Sequence, residues 1–354
     1  LDAVFNHVGR DFWAFQDLQK KGKRSKYRNW FSNVDFSKKG KQGDGFIYDA
    51  WNGHYQLVEL NLQNPEVRSH LFSAVADWME NYQIEGLRLD AADVIDLDFL
   101  EALSAFCKVK NPDFWLVGEV VFGDYRQWVN PNILDSVTNY EYHRPLFESF
   151  NHTHFGKIAR VLQRQFGHDG VYKNLNMYSF VDNHDVDRAA SLLVESSHLY
   201  PMYLLLFTLP GIPAIYYGSE WGFEGRVQSG EHHELRPKVN LKNIARQIKH
   251  PDLINSIKRF IALRLASNSL MEGSYHELLV LEEQFVFVRA KKSDFLICVI
   301  NASRHTVSLD IPLNNFEVKQ YRDLLNTEYT GASQNGLLRI DVPSCWGRVL
   351  SPLY

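Results

Sequence analysis

Cysteine is scarce in this chain: three of 354 residues, at positions 107, 298 and 345, with no CxxC or other metal-ligand spacing. An odd, scattered set cannot staple a small secreted scaffold and offers no zinc site, and it fits a reducing, cytoplasmic compartment. No apolar run approaches the ~18 residues of a membrane-spanning helix. The longest, Met202 to Ile215, is broken by Pro210, Gly211 and Pro213. An excess of one charge is missing too, since 38 Lys and Arg against 42 Asp and Glu leave a formal net charge of −4. The one basic run, Lys20-Lys21-Gly22-Lys23-Arg24 with Lys38 and Lys39 downstream, reads as a solvated loop and is too small for a nucleic-acid face. Neither a nucleic-acid nor a membrane partner is expected.

With 45% hydrophobic and 14% aromatic residues the chain has enough apolar surface for a large core, and its length allows two domains. Strand-like runs at Leu1–Phe5, Gly86–Asp90, Trp115–Glu119, Ile133–Val137, Tyr178–Asp182 and Ile212–Tyr217 alternate with helical periodicity. The helices are read from Asn64-Pro65-Glu66 to about Tyr82 and around Leu97–Cys107, Phe155–Phe166, Tyr200–Leu209 and Leu253–Ala266. Such alternation predicts α/β architecture with a parallel sheet, here a (β/α)8 TIM barrel over residues 1–268 with a short inserted loop domain at about 9–63. After Asn268 short β-rich runs alternate with polar turns, which predicts an antiparallel β-sandwich over residues 269–354. Six barrel strands are read where eight are needed, so two are expected to precede Leu1.

Four of the strand-like runs end in chemistry: Asp2-Ala-Val-Phe-Asn-His7, Gly86-Leu-Arg-Leu-Asp90, Val117-Gly-Glu119 and Phe180-Val-Asp-Asn-His-Asp185. The carboxyl ends of barrel strands meet at one face, where carboxylates from different strands can converge for glycoside cleavage. Each motif also has a plainer reading. Arg88 and Asp90, two apart on a strand, point to the same side and could be a buried ion pair. Glu119 could be a solvated strand end, and Asp182–Asp185 an Asx-rich turn. His7, lacking a partner at zinc spacing, fits a hydrogen-bonding role better than a metal site.

In this order, all at strand ends, the motifs resemble the four signature regions of the α-amylase superfamily of glycoside hydrolases. Gly211-Ile-Pro-Ala-Ile-Tyr-Tyr-Gly-Ser-Glu220 is similar to that family's last barrel strand. The resemblance implies Asp90 as nucleophile, Glu119 as acid/base with a raised pKa, and Asp185 as transition-state stabiliser. It implies that His7, Arg88 and His184 bind substrate or orient it, with Asp2, Asn6 and Asn183 in support. Asp90-Ala91-Ala92-Asp93-Val94 lacks the Lys-His pair of many α-amylases, which weighs against the family's calcium site near Asn6, so no cofactor is expected to be required and no metal ligand is assigned. Leu57-Val-Glu-Leu-Asn61 looks like the corresponding segment of cyclomaltodextrinases and neopullulanases. The implied activity is retaining hydrolysis of α-1,4 links in maltodextrins, cyclodextrins or starch fragments, possible as a homodimer. The alternatives left open are a transglycosylase or isomerase on the same scaffold, a non-catalytic carbohydrate-binding relative, and a metal-dependent hydrolase.

Overall fold

The strand-like runs do form parallel strands, in a computed structural model that describes residues 1–228, 230, 232–246 and 248–354. The chain divides into two units, Leu1–Thr138 and Asn139–Tyr354.

In the first unit the strands are β1 (Asp2–Ala3), β2 (His7–Gly9), β3 (Leu57–Glu59), β4 (Gly86–Leu89), β5 (Trp115–Gly118) and β6 (Ser136–Val137). Four of them form a parallel sheet in the order β1-β4-β5-β6, while β2 and β3 pair antiparallel. The helices are α1 (Trp13–Lys21), α2 (Pro65–Asn81) and α3 (Leu97–Lys110). Asn64 caps α2 by accepting the Glu66 N–H at 2.8 Å, and Pro65 takes the first helical position, where its missing N–H costs nothing. Val67, Leu71 and Val75 bury one face of α2; Phe72 stacks on Phe106 of α3 at 5.0 Å. Register fixes the chemistry of this sheet. Asp2 stands opposite Arg88, and Leu89 opposite Gly118, so one further residue sets Asp90 beside Glu119. Gly118 is required there, because a Cβ would lie 2.6 Å from Leu134 Cδ1 and 2.9 Å from Ala92 Cβ.

The Lys- and Gly-rich stretch after Gly9 is more ordered than its composition predicts. Helix α1 buries Ala14, Phe15 and Leu18, and Phe15 packs edge-on against Phe31 and Tyr48 at 5.1 and 5.0 Å. Arg10 clamps Asp44 through two bonds of 2.7 Å. The helix escapes a sequence reading because Phe12 offers no capping side chain and the first turn has no acid.

The second unit contains a parallel pair, β7 (Tyr178–Phe180) and β8 (Ile212–Ala214), and helices α4 (His143–Asn151), α5 (Gly156–Phe166), α6 (Ala189–Leu192), α7 (Leu199–Thr208), α8 (Leu253–Leu265) and α9 (Asn268–Glu272). Helix α7 is buried along its length except at Tyr200. Its C-terminal carbonyls are satisfied by buried arginines: Arg264 reaches Phe207 O and Leu209 O at 2.9 Å, and Arg289 reaches Thr208 O at 2.6 Å. Eight strands follow: β9 (Ser274–Val280), β10 (Gln284–Lys291), β11 (Asp294–Asn301), β12 (Val307–Pro312), β13 (Gln320–Asp323), β14 (Thr330–Gln334), β15 (Leu337–Val342) and β16 (Trp346–Leu353). They form one antiparallel sheet, β12-β15-β14-β13-β16-β11-β10-β9, whose edge strands β12 and β9 approach each other around a core that includes Val286, Val288, Ile297, Val299, Ile311 and Ile340. This near-closed layer fits the expected β-sandwich. Strand β10 reads as an unbroken apolar run because both faces are covered: Val286 and Val288 face that core, while Phe285 stacks on Phe155 at 5.9 Å.

Candidate active site

Three parallel strands of the first unit deliver charged groups to neighbouring ends. One guanidinium gathers them. Arg88 Nη1 lies 2.7 Å from Asp2 Oδ1 and 3.0 Å from Asp90 Oδ1, and Nη2 lies 2.7 Å from Glu119 Oε2. Burial acts to lower the Arg88 pKa, but Glu119, Asp2 and Asp90 outweigh it and hold the guanidinium above its ordinary range, so its charge is permanent. The strand ends are pinned by backbone bonds, Asp90 N–H to Ala3 O at 3.1 Å and Glu119 N–H to Leu89 O at 2.8 Å. Ala91, in the left-handed region at φ 46°, turns the chain after Asp90, so that its N–H points to Glu119 Oε2 at 3.5 Å.

His7, almost fully buried at the start of β2, lies within electrostatic range of Asp90. Burial lowers its pKa and the Asp90 charge partly opposes this. Asn6 Nδ2 approaches His7 Nδ1 at 3.4 Å, and the Trp51 ring stacks on the imidazole with centroids 5.4 Å apart. The residues expected at this site in the first unit are therefore together: Asp2, Arg88, Asp90 and Glu119 directly, with His7 and Asn6 beside them. Trp51 was not legible as a site residue, because it sits in an irregular segment with no motif around it.

In the second unit the chain after β7 separates two acids with different surroundings. Asp182 is buried and accepts from Ser219 Oγ at 2.7 Å and from the Ala189 N–H at 2.8 Å; burial raises its pKa against those two bonds. It is a structural group. Asn183 Oδ1 accepts the N–H groups of Asp185 and Val186 at 2.8 and 3.0 Å, and its amide donates to Tyr140 Oη at 2.9 Å, so it shapes the turn that presents Asp185.

Asp185 is partly exposed and meets, among the described residues, His184 Nε2 at 2.9 Å, His232 Nδ1 at 3.3 Å and Arg236 Nη2 at 3.0 Å. His232 and Arg236 also reach the His184 carbonyl at 3.2 and 3.3 Å. Their loop is held by fully buried Arg188, which donates to Leu235 O at 2.5 Å and to Tyr217 O at 2.9 Å and lies 4.2 Å from the Tyr216 ring centroid. His232 and Arg236 carried no sequence signal, since a polar loop after β8 has neither period nor strand end.

Among the described residues no group of three or more His, Cys, Asp or Glu is arranged to hold a metal ion, and the Asn6 amide is turned to His7. The oxygen-rich set that calcium takes is thus not gathered from acids near Asn6. No described helix is long and apolar enough to cross a membrane.

A model of the α-amylase catalytic domain matches residues 1–252. The chain belongs to the α-amylase family. A cyclomaltodextrinase of Thermoanaerobacter pseudethanolicus is 30% identical over 343 residues, covering 95% of this chain and 57% of that protein. Neopullulanase 2 of Thermoactinomyces vulgaris is 28% identical, covering 99% and 59%, and an intracellular maltogenic amylase of Bacillus subtilis is 28% identical, covering 81% and 47%. The chain spans about half the length of the curated relatives it matches. Among solved structures, an acarbose-soaked debranching enzyme of Nostoc punctiforme superposes with a TM-score of 0.79 at 26% identity, covering 99% of this chain and 75% of that one. A cyclomaltodextrinase superposes at 0.85 and 25% identity, covering 99% and 59%.

Proposed function

We propose that this α-amylase family member is a retaining α-glucan hydrolase, cleaving α-1,4 links of maltodextrins, cyclodextrins or starch fragments. The observation that carries the reading is the single guanidinium of Arg88 spanning Asp90 and Glu119 at 3.0 and 2.7 Å. One fork bridging two carboxylates is compatible with the separation of about 5–5.5 Å that a retaining pair uses. In this reading the Asp90 carboxylate attacks the anomeric carbon while Glu119 gives its proton to the departing glycosidic oxygen. Glu119 then takes a proton from water, whose oxygen displaces Asp90 and releases the sugar with its configuration retained. Asp185 and His184 bind hydroxyls of the sugar in the cleavage subsite, as does His7, whose burial favours the neutral imidazole. Arg88 orients both carboxylates, Asp2 anchors Arg88, and Asn6 and Asn183 support their neighbours.

The names of the relatives support maltodextrins and cyclodextrins as substrates, and we infer a site that needs no metal or cofactor. We read the parallel strands as six members of a (β/α)8 barrel, with the β domain beginning near residue 269. The Bacillus relative's name supports a cytoplasmic setting. A product time course on maltoheptaose and β-cyclodextrin, with Asp90→Asn as control and a chelator arm, tests the proposal. Hydrolysis of both substrates, insensitive to chelator and absent in the variant, is expected. Longer transfer products in place of hydrolysis would favour a transglycosylase. No turnover by folded wild-type protein would refute the hydrolase.

A further inference from the structure

The second unit holds a groove of about 690 Å³ that shares no residue with the strand-end sites. Two aromatic rings stand in a mostly polar lining. Tyr200, in the first turn of α7, and Trp346, at the start of β16, have ring centroids 6.2 Å apart and planes inclined at 52°. Both rings are only half-buried, whereas most large aromatics of this unit are fully covered. Trp346 is set in place by Phe260 at 5.6 Å and by Arg259, whose guanidinium lies 5.9 Å from its ring centroid, while His250 packs edge-on against Tyr200 at 6.2 Å. Trp346 follows Cys345, a non-glycine residue held in the left-handed region at φ 45°. A backbone conformation of that kind persists only where surrounding contacts enforce it.

Around the rings stand polar groups without duties. Among the described residues no hydrogen bond or ion pair engages the Tyr200 hydroxyl, the Trp346 ring N–H, the Asp252 carboxylate, Asn326 Oδ1 or the Ser344 hydroxyl. Asp252 precedes α8 without capping it, although a capping bond is what an Asp at that position ordinarily makes. Both Asp252 and Tyr200 line the groove, where burial and then the Asp252 charge raise the Tyr200 pKa.

The chemistry of the lining selects the ligand. An anion is disfavoured by Asp252 and Glu195, and the lining guanidinium, Arg304, is already paired with Glu195 at 2.6 Å. A divalent cation needs several oxygen ligands from acids, and no such group is gathered here. What remains is a neutral molecule with apolar faces for the two rings and a periphery of hydroxyls for a carboxylate, an amide oxygen and a serine. That is a carbohydrate.

We propose that the Tyr200–Trp346 groove is a second α-glucan-binding site, edged by Asp252, Asn326 and Ser344. The choice of α-glucan rests on the hydrolase reading above, while the choice of a carbohydrate rests on the groove itself. A site that grips a long chain away from the scissile bond raises the local concentration of further links without touching the chemistry.

The test is a calorimetric titration of the Asp90→Asn protein with maltoheptaose, repeated with Tyr200→Ala and with Asp252→Ala added to it. Two classes of site are expected, and each added change weakens one class at least tenfold while the other keeps its affinity. In the otherwise wild-type protein, Tyr200→Ala leaves hydrolysis of a short chromogenic maltoside within about twofold and raises KM for soluble starch severalfold. Asp252 is exposed, so Asp252→Ala keeps the test valid if the ring substitution fails to fold. A single class of site, or two classes untouched by either change, overturns the second site. Wild-type turnover of maltoheptaose with one class of site refutes the groove alone. Absence of turnover refutes the hydrolase reading, and the isotherm still reports on the groove.

Discussion

The two clusters of charged residues at strand ends are built with opposite balances. In the first unit one cation, Arg88, serves three carboxylates, Asp2, Asp90 and Glu119. In the second, one carboxylate, Asp185, is served by His184, His232 and Arg236. The first arrangement leaves net negative charge where a glycosyl centre would develop positive charge, and the shared guanidinium fixes where the carboxylates stand. The second fixes a lone acid by surrounding it, leaving it suited to hold hydroxyls. The difference teaches that the two ends depend on different parts of the chain. The Arg88 cluster is made by register between adjacent parallel strands, whereas the Asp185 cluster is closed by a loop that Arg188 anchors.

The first way to break this contrast is Asp90→Asn, which removes the proposed nucleophile and leaves the Arg88 contact geometry; kcat on maltoheptaose should fall by about 10⁴-fold or more, with circular dichroism unchanged. Arg88→Met strips all three acids of their shared cation. A loss of about 10²–10³-fold in kcat is expected, and Arg88→Lys should restore little of it, because a point charge cannot span Asp90 and Glu119 as a planar fork does. On the other side, Arg236→Ala removes one partner of Asp185 and leaves the imidazoles of His184 and His232. Its effect should be smaller, about tenfold in kcat/KM, or about 1.4 kcal/mol. If Arg236→Ala proves as damaging as Arg88→Met, the distinction between a shared cation and a shared acid collapses.

The smallest effect concerns stability. Burial pushes the His143 imidazole down to about 4, against its bond to the Val181 carbonyl at 3.0 Å, just before the Asp182 turn. The folded pKa is below the unfolded value of about 6.5, so the unfolded chain binds the extra proton first. Stability is therefore full above pH 6.5 and falls as pH drops from there towards 4. Thermal unfolding at pH 7, 6, 5 and 4.5 should show this decline, and His143→Gln should flatten it.

The same contrast explains what could be read before folding. Strand-end residues such as Asp90 and Glu119 announce themselves, because an apolar run that stops at an acid is visible in one dimension, and parallel register then places neighbours together. The helices α2 and α8 were legible from period, and α2 also from Asn64 and Pro65. His232, Arg236 and Trp51 were not, since each reaches its partner by a loop path that no local pattern encodes. Helix α1 lacked both cap and first-turn acid, and α4 was hidden in a stretch dense with aromatic and polar residues. Residue type alone did not separate Asp182 from Asp185; the family resemblance pointed to Asp185, and no physical reason for it was visible in one dimension. Burial of the first by Ser219 and the Ala189 N–H supplies that reason.

The most direct test of Asp90 as nucleophile is to trap the intermediate. Incubation with 5-fluoro-α-D-glucosyl fluoride, followed by proteolysis and mass spectrometry, should find the fluoroglucosyl label on the peptide bearing Asp90, and none on the Asp90→Asn protein. Label on Glu119 or Asp185, or steady turnover with inverted products and no label at all, would contradict it.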